Sequence, residues 1–193
     1  MKINTENRNT IHFKDYMSEI EHTVTKAKLE QNTELPPLFE YTKLNLSRSK
    51  KWLKIFKPNV DMIQSVQSMK RKENWIVLTE SWCGDAAQNL PQLFKISELT
   101  DKISLSLLKR DENLDLMDQF LTNGGRSIPK LIRIDTETNE VIGTWGPRPT
   151  SVQEKVIQLK SEGKEYAEEI HKWYAKDKGL LLQKEISELI LSE

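Results

Sequence analysis

One cysteine, Cys83, occurs in 193 residues. An intramolecular disulfide is thereby excluded, and so is a structural disulfide framework. The three histidines, His12, His22 and His171, show no metal-ligand spacing, so neither a metal nor a cofactor is expected. No stretch approaches the roughly 18 consecutive apolar residues of a membrane span. The opening segment MKINTENRNTIHF also lacks the apolar centre of a secretion signal. The expectation is a soluble, cytoplasmic protein with no membrane partner. An excess of one charge is missing too, since 29 basic residues face 29 acidic ones. What is present is ordinary: 37% hydrophobic and 30% charged residues, with no repeat or low-complexity tract. That content suits a single globular core with extensions.

The neutral sum conceals an asymmetry. Through residue 72 there are fourteen basic and eight acidic residues, and from residue 73 onward fifteen and twenty-one. Arg48, Lys50, Lys51, Lys54 and Lys57, continued by Lys70, Arg71 and Lys72, carry the positive excess. Such a run attracts nucleic acid or an acidic partner. It is equally the solvated side of a helix whose other side is Leu46, Trp52, Leu53 and Phe56, and this reading is preferred to a nucleic-acid partner.

Periodicity divides the chain in three. Residues 11–30 read as a helix, broken by Leu35-Pro36-Pro37, and further helices are expected over residues 47–57 and 60–72. The middle third alternates: a buried strand at residues 75–79, a helix over 85–99, a strand over 103–108 and a helix over 114–121 closed by Asn123-Gly124-Gly125. An antiparallel hairpin of residues 130–134 and 141–145 follows, around Thr136-Glu137-Thr138-Asn139. Strand, helix, strand, helix, hairpin, helix predicts an α/β fold with a mixed central sheet flanked by helices. From Ser151 the pattern is helical again, jointed at Gly163 and Gly179. The last stripe, Leu182, Ile186, Leu189 and Ile190, packs on its own domain or forms a seam between two copies.

Cys83 sits where the first strand hands over to a helix. Unpaired backbone N–H groups and the helix dipole at such a corner stabilise a thiolate. Trp82 and Gly84 on either side suit a sharp, partly exposed turn.

The stretch Trp82-Cys83-Gly84-Asp85-Ala86-Ala87-Gln88-Asn89-Leu90-Pro91 resembles the active-site helix of thioredoxin-like proteins, in which Trp-Cys-Gly-Pro-Cys is followed five residues later by a proline that kinks the helix. Asn123-Gly124-Gly125-Arg126-Ser127-Ile128-Pro129 resembles that family's loop leading to a cis-proline that faces the reactive sulfur. The resemblance implies a thioredoxin-like domain over residues 59–162, a helical N-terminal extension over 1–58 and a helical C-terminal extension over 163–193 packed on the same core. It implies Cys83 as the attacking thiol, with Trp82, Gly84, Asp85, Ile128 and Pro129 around the substrate.

Three departures limit the transfer of chemistry. The resolving cysteine of the motif would fall at Ala86, and the carboxylate that serves it at Val77. Asp85 replaces the proline, as a helix cap or as a charge beside the sulfur. One glycine, Gly143, stands where monothiol glutaredoxins carry a pair, and Glu80 where peroxiredoxins carry threonine or serine. Two readings follow. In one, Cys83 forms a mixed disulfide with a protein or a low-molecular-weight thiol or disulfide, and an external thiol resolves it, a role in cell redox homeostasis. In the other, the chain is a redox-inactive binding module for a protein partner. The residues leave open whether it is an enzyme. His12, His22 and His171 read as surface or boundary residues, Arg126 as a solvated loop cation and Trp145 as core.

Overall fold

The computed structural model describes residues 1–3, 5, 7–29 and 35–192. Strand β1 (Glu73–Thr79) is buried along almost its whole length, as a strand with neighbours on both edges and cover on both faces must be. It pairs parallel with β2 (Ile103–Lys109) and antiparallel with β3 (Lys130–Asp135). β3 turns back into β4 (Val141–Trp145), giving the order β2-β1-β3-β4. The turn forms because Asp135 Oδ1 accepts the N–H groups of Glu137 and Thr138 at 2.8 and 2.9 Å. Asn139 adopts the left-handed conformation, φ 57°, which its side chain tolerates.

Helices α1 (Phe13–Leu29), α2 (Phe39–Ile55) and α3 (Val60–Ser68) precede β1, and α4 (Gly84–Ser97) follows it. A single turn, α5 (Leu114–Met117), lies between β2 and β3. Then α6 (Thr150–Ser161), α7 (Ala167–Asp177) and α8 (Leu180–Leu191) close the chain. No described helix is long and apolar enough to cross a membrane.

Alternation along β1 assigns the two sheet faces. Trp75 and Val77 point into the larger core, where they meet Trp52 of α2, Met62 and Val66 of α3, Leu93 of α4 and Ile186 of α8. Ile76 and Leu78 point the other way, against Leu116, Met117, Phe120 and Ile128, and this smaller core also takes Cys83. The terminal helices therefore share the larger core with the sheet.

Several boundaries differ from the periodic reading. The second helix begins at Phe39 rather than at residue 47, directly after Pro36-Pro37. The third stops at Ser68, so Lys70, Arg71 and Lys72 lead into β1 off the helix. The helix expected over 114–121 ends at Met117, because the Gln119 and Phe120 N–H groups bond three residues back, at 3.1 and 3.0 Å. That is the tightened geometry of a helix end, and Asn123 and Gly124 then take positive φ. The first helix starts at Phe13, and residue 30 lies outside the described residues. Ile11 instead exchanges backbone hydrogen bonds with Leu107, both 2.9 Å, and Lys2 bridges to Glu140. The N-terminal segment thus covers exposed backbone at both edge strands, a common defence of sheet edges.

A carboxylate–guanidinium pair lies inside the larger core. Arg133 on β3 grips Glu73 on β1 with two bonds, 2.8 and 2.6 Å, and both side chains are 0% exposed. The Trp75 indole N–H donates to the same carboxylate at 2.7 Å, and Arg133 also donates to the Leu189 carbonyl of α8. Every charge-bearing atom so buried needs such partners.

Candidate functional site

The strand-to-helix corner is held from outside by α2. The Asn45 side chain donates to the Ser81 carbonyl at 3.0 Å, and the hydroxyls of Thr42 and Ser81 lie 3.2 Å apart. Cys83 is the N-cap of α4, its sulfur 3.5 Å from the Ala86 N–H. The Sγ–H donates to the Ile128 carbonyl at 3.3 Å, and the Ile128–Pro129 peptide is cis. The Gly146–Pro147 peptide behind it is cis as well. Gly146 has φ 110°, and a Cβ there would fall 2.2 Å from the Pro129 carbonyl oxygen; only glycine lets the two proline segments approach so closely.

Burial works against the thiolate. Cys83 is 8% exposed. Burial, followed by the charge of Asp85, pushes its pKa up to about 12, against smaller opposing help from the backbone N–H groups and Arg148. The helix terminus was expected to ease ionisation. It contributes, but desolvation of the sulfur outweighs it.

Asp85 does not cap the helix, since Cys83 occupies that position. Its carboxylate instead takes two bonds from Arg148, at 2.9 and 2.5 Å, and a third from the Tyr174 hydroxyl at 2.9 Å. Asn89 donates to Tyr174 and to the Pro147 carbonyl, at 2.9 and 3.1 Å, and Arg148 donates to Gln153 at 2.7 Å. Burial and the neighbouring Asp85 charge hold the Tyr174 phenol well above its ordinary range. The network joins α4, the segment after β4, α6 and α7 under the sulfur.

Above this network lies a cavity of about 390 Å³ bordered by Trp82, Cys83, Gly84, Asp85 and Ile128, with Arg48, Arg148 and His171. Pro129 is buried and does not border it. Trp82 sits beneath the Arg110 guanidinium, 5.0 Å from its ring centre, while Arg110 itself is paired with Asp111 at 2.6 Å. Arg126 is likewise paired, with Asp118 at 2.6 Å, and Trp145 is core, its indole N–H donating to Glu185 at 2.6 Å. His12 and His22 lie in the N-terminal region away from the cavity.

His171, read from the sequence as a surface or boundary residue, is a boundary residue that also lines the cavity. It is half-buried, it approaches Gln88 at 3.4 Å, and a Cβ on Gly84 would lie 3.2 Å from its ring. Burial, and then Arg48, lower its pKa below the ordinary 6.5 in spite of Asp85. Sequence spacing also missed Tyr174, Arg148 as the partner of Asp85, and Arg48 as a cavity wall. Arg48 was visible as part of the basic run. His171 and Tyr174 stand 83 and 89 residues from the positions they touch, and nothing local announces such contacts. Among the described residues no cluster of histidine, cysteine and carboxylates could hold a metal ion.

No curated protein matches the chain significantly. Among solved structures it is similar to a protein of unknown function from Pseudomonas aeruginosa, with TM-score 0.62 and 18% identity over 77% of this chain and 85% of that one. It is similar also to an HIV epitope scaffold, with TM-score 0.62 and 17% identity over 96% of this chain and 94% of that one. Likeness at such identity establishes the fold. A family model described as thioredoxin matches residues 36–173, a span that takes in α2 and most of α7 as well as the sheet. With the sheet order, the cysteine at the head of α4 and the proline loop against it, this match makes the chain a member of the thioredoxin family.

Proposed function

We propose that this thioredoxin-family protein is a binding module in which the place of the exchange thiol has become the wall of a small-ligand pocket. One observation carries the reading: the Cys83 thiol is buried, gives its hydrogen to the Ile128 carbonyl and faces a carboxylate. With the pKa pushed up to about 12, the thiolate, which is the nucleophile, is strongly disfavoured at pH 7. The absence of a cysteine at Ala86 removes the usual resolving partner. Helices α2 and α7 wall the cavity, whose 390 Å³ falls in the range of small-molecule sites, about 300–1,000 Å³. A low-molecular-weight occupant therefore fits better than a folded protein.

A second reading rests on a different observation, that Cys83 and Ile128 both border the cavity. In it, the ionised Cys83 sulfur attacks one sulfur of a small disulfide, the other sulfur leaves as a thiolate, and an external thiol then displaces Cys83 from the mixed disulfide. Alkylation rate against pH separates the two. Binding without exchange requires a rate that stays low through pH 9 and no mixed disulfide captured from a small-disulfide mixture. A midpoint at or below the ordinary cysteine value, with a captured adduct, would replace the first reading by the second.

A further inference from the structure

We propose that the cleft between α2 and α7, on the far side of Arg48 and His171 from Cys83, binds a small phosphorylated organic molecule. The cleft holds about 720 Å³ and is bordered by Arg48, Lys51, Lys57 and Lys178, with no carboxylate among its lining residues. Neighbouring cations of the same helix and of the adjoining cavity have acidic partners: Lys50, one position away from Lys51, is paired with Glu21 at 2.6 Å, and Arg148 with Asp85. None of the four cleft cations makes an ion pair among the described residues, and Arg48 donates only to the neutral Asn45 amide, at 2.9 Å.

Like charges gathered around one concavity repel each other, and an anion placed among them removes that repulsion. A lone carboxylate balances one cation. A phosphate or diphosphate balances two or more and offers oxygens to guanidinium and ammonium donors together. Beside the polar Gln88 and His171 the lining offers an apolar wall of Trp52, Ile55, Phe56 and Ala175, with Ile55 48% exposed, so the ligand carries an uncharged body as well as its phosphate. The volume suits a small molecule and does not admit a nucleic-acid duplex. The cleft excludes Cys83 and does not depend on whether that thiol exchanges.

The wall shared by the two cavities provides the readout. Arg48 and His171 border both, and Gln88 links them across α4, taking the Trp52 indole N–H and approaching the His171 Nδ1. The charged groups that act on His171 are Arg48 from α2, Asp85 from α4 and Arg148 from the segment after β4. An anion seated against Arg48 stabilises the imidazolium and raises the His171 pKa.

Adenosine diphosphate, pyrophosphate, inorganic phosphate and adenosine are the probes, titrated at low salt by calorimetry and by the His171 ring resonances. The expected result is saturable binding of adenosine diphosphate, tighter than inorganic phosphate, with an upward shift of the His171 titration. Lys51→Ala and Lys178→Ala remove exposed side chains that the fold does not use, and each weakens binding about tenfold. Lys26→Ala with Lys28→Ala, on α1, changes nothing. The proposal is overturned if neither pyrophosphate nor adenosine diphosphate binds at millimolar concentration, if adenosine binds as well as its diphosphate, or if the two cleft variants bind unchanged. Preference for a single-stranded oligonucleotide over adenosine diphosphate overturns it too, and assigns the cleft to a polymer.

Discussion

Two ion pairs bracket the first strand. Glu73–Arg133 lies at its start with both side chains at 0% exposure, and Asp85–Arg148 lies just beyond its end at 14% and 13%. Both join the β1–α4 segment to the segment that contains the hairpin, through two guanidinium hydrogen bonds each. Their surroundings separate their roles. The first is closed by Trp75 and the Leu189 carbonyl and borders neither of the two cavities described above, so its chemistry is spent on holding β1, β3 and α8 in register. The second borders the space beside Cys83 and sets the charge that the sulfur meets. The same bond is structural where water is excluded on every side and electrostatically directive where one side opens onto a pocket.

The contrast breaks most visibly at the buried pair. Arg133→Met leaves the Glu73 carboxylate in the core without its counter-charge, and the expected loss is about 3–5 kcal/mol in denaturant unfolding. Adding Glu73→Gln to Arg133→Met recovers part of it, because a neutral amide oxygen still accepts the Trp75 indole N–H without a buried charge. If the single variant loses less than about 1 kcal/mol, the pair behaves like a surface bridge and the contrast fails.

Asp85→Asn tests the other side. The amide still accepts from Tyr174 and Arg148, so the expected stability loss is nearer 2 kcal/mol. The sharper effect is on the thiol. Asp85 is the second cause of the raised Cys83 pKa and burial the first, so the substitution lowers that pKa without returning it to the ordinary value. Alkylation at pH 8 is expected to quicken by no more than about tenfold, the factor that one pKa unit represents. An acceleration far beyond that would mean that the carboxylate, not desolvation, holds the thiol neutral.

The sequence made one kind of information legible and hid another. Trp75 to Thr79, the hairpin around Asn139 and the glycine joints at Gly163 and Gly179 were readable, because each is decided by neighbours within a few residues. The thioredoxin-like α/β fold was readable for the same reason, since two short motifs carried it. Local reading went wrong where a distant group decided the outcome. Ile11 pairs with Leu107 instead of starting a helix. Cys83 sits at a helix terminus that favours its anion, yet the side chains packed over it from elsewhere determine its charge. Asp85 looked like a cap until the hairpin delivered Arg148 and α7 delivered Tyr174.

His171 provides the smallest and most discriminating test of the open site. Burial first and Arg48 next lower its pKa, Arg148 adds to them and Asp85 opposes, so the folded protein holds a neutral ring at pH 7. The unfolded chain takes up a proton at the ordinary value near 6.5. Stability from this group is therefore complete above pH 6.5 and declines as the pH falls through the lower, folded value. Carboxylates held below their usual range, such as Asp135 with its backbone N–H donors, lose their contribution only in more acid solution. His171→Gln is expected to flatten the unfolding free energy between pH 6.5 and the carboxylate region and to leave the acid limb as it is. In Asp85→Asn the one group that raises the His171 pKa is gone, so the decline between those limits becomes larger than in the natural protein. Arg133→Leu, at the closed pair, leaves this difference untouched, because nothing there faces the imidazole. A pH profile that changes equally in the Asp85 and Arg133 variants would show that the two pairs are one electrostatic unit after all.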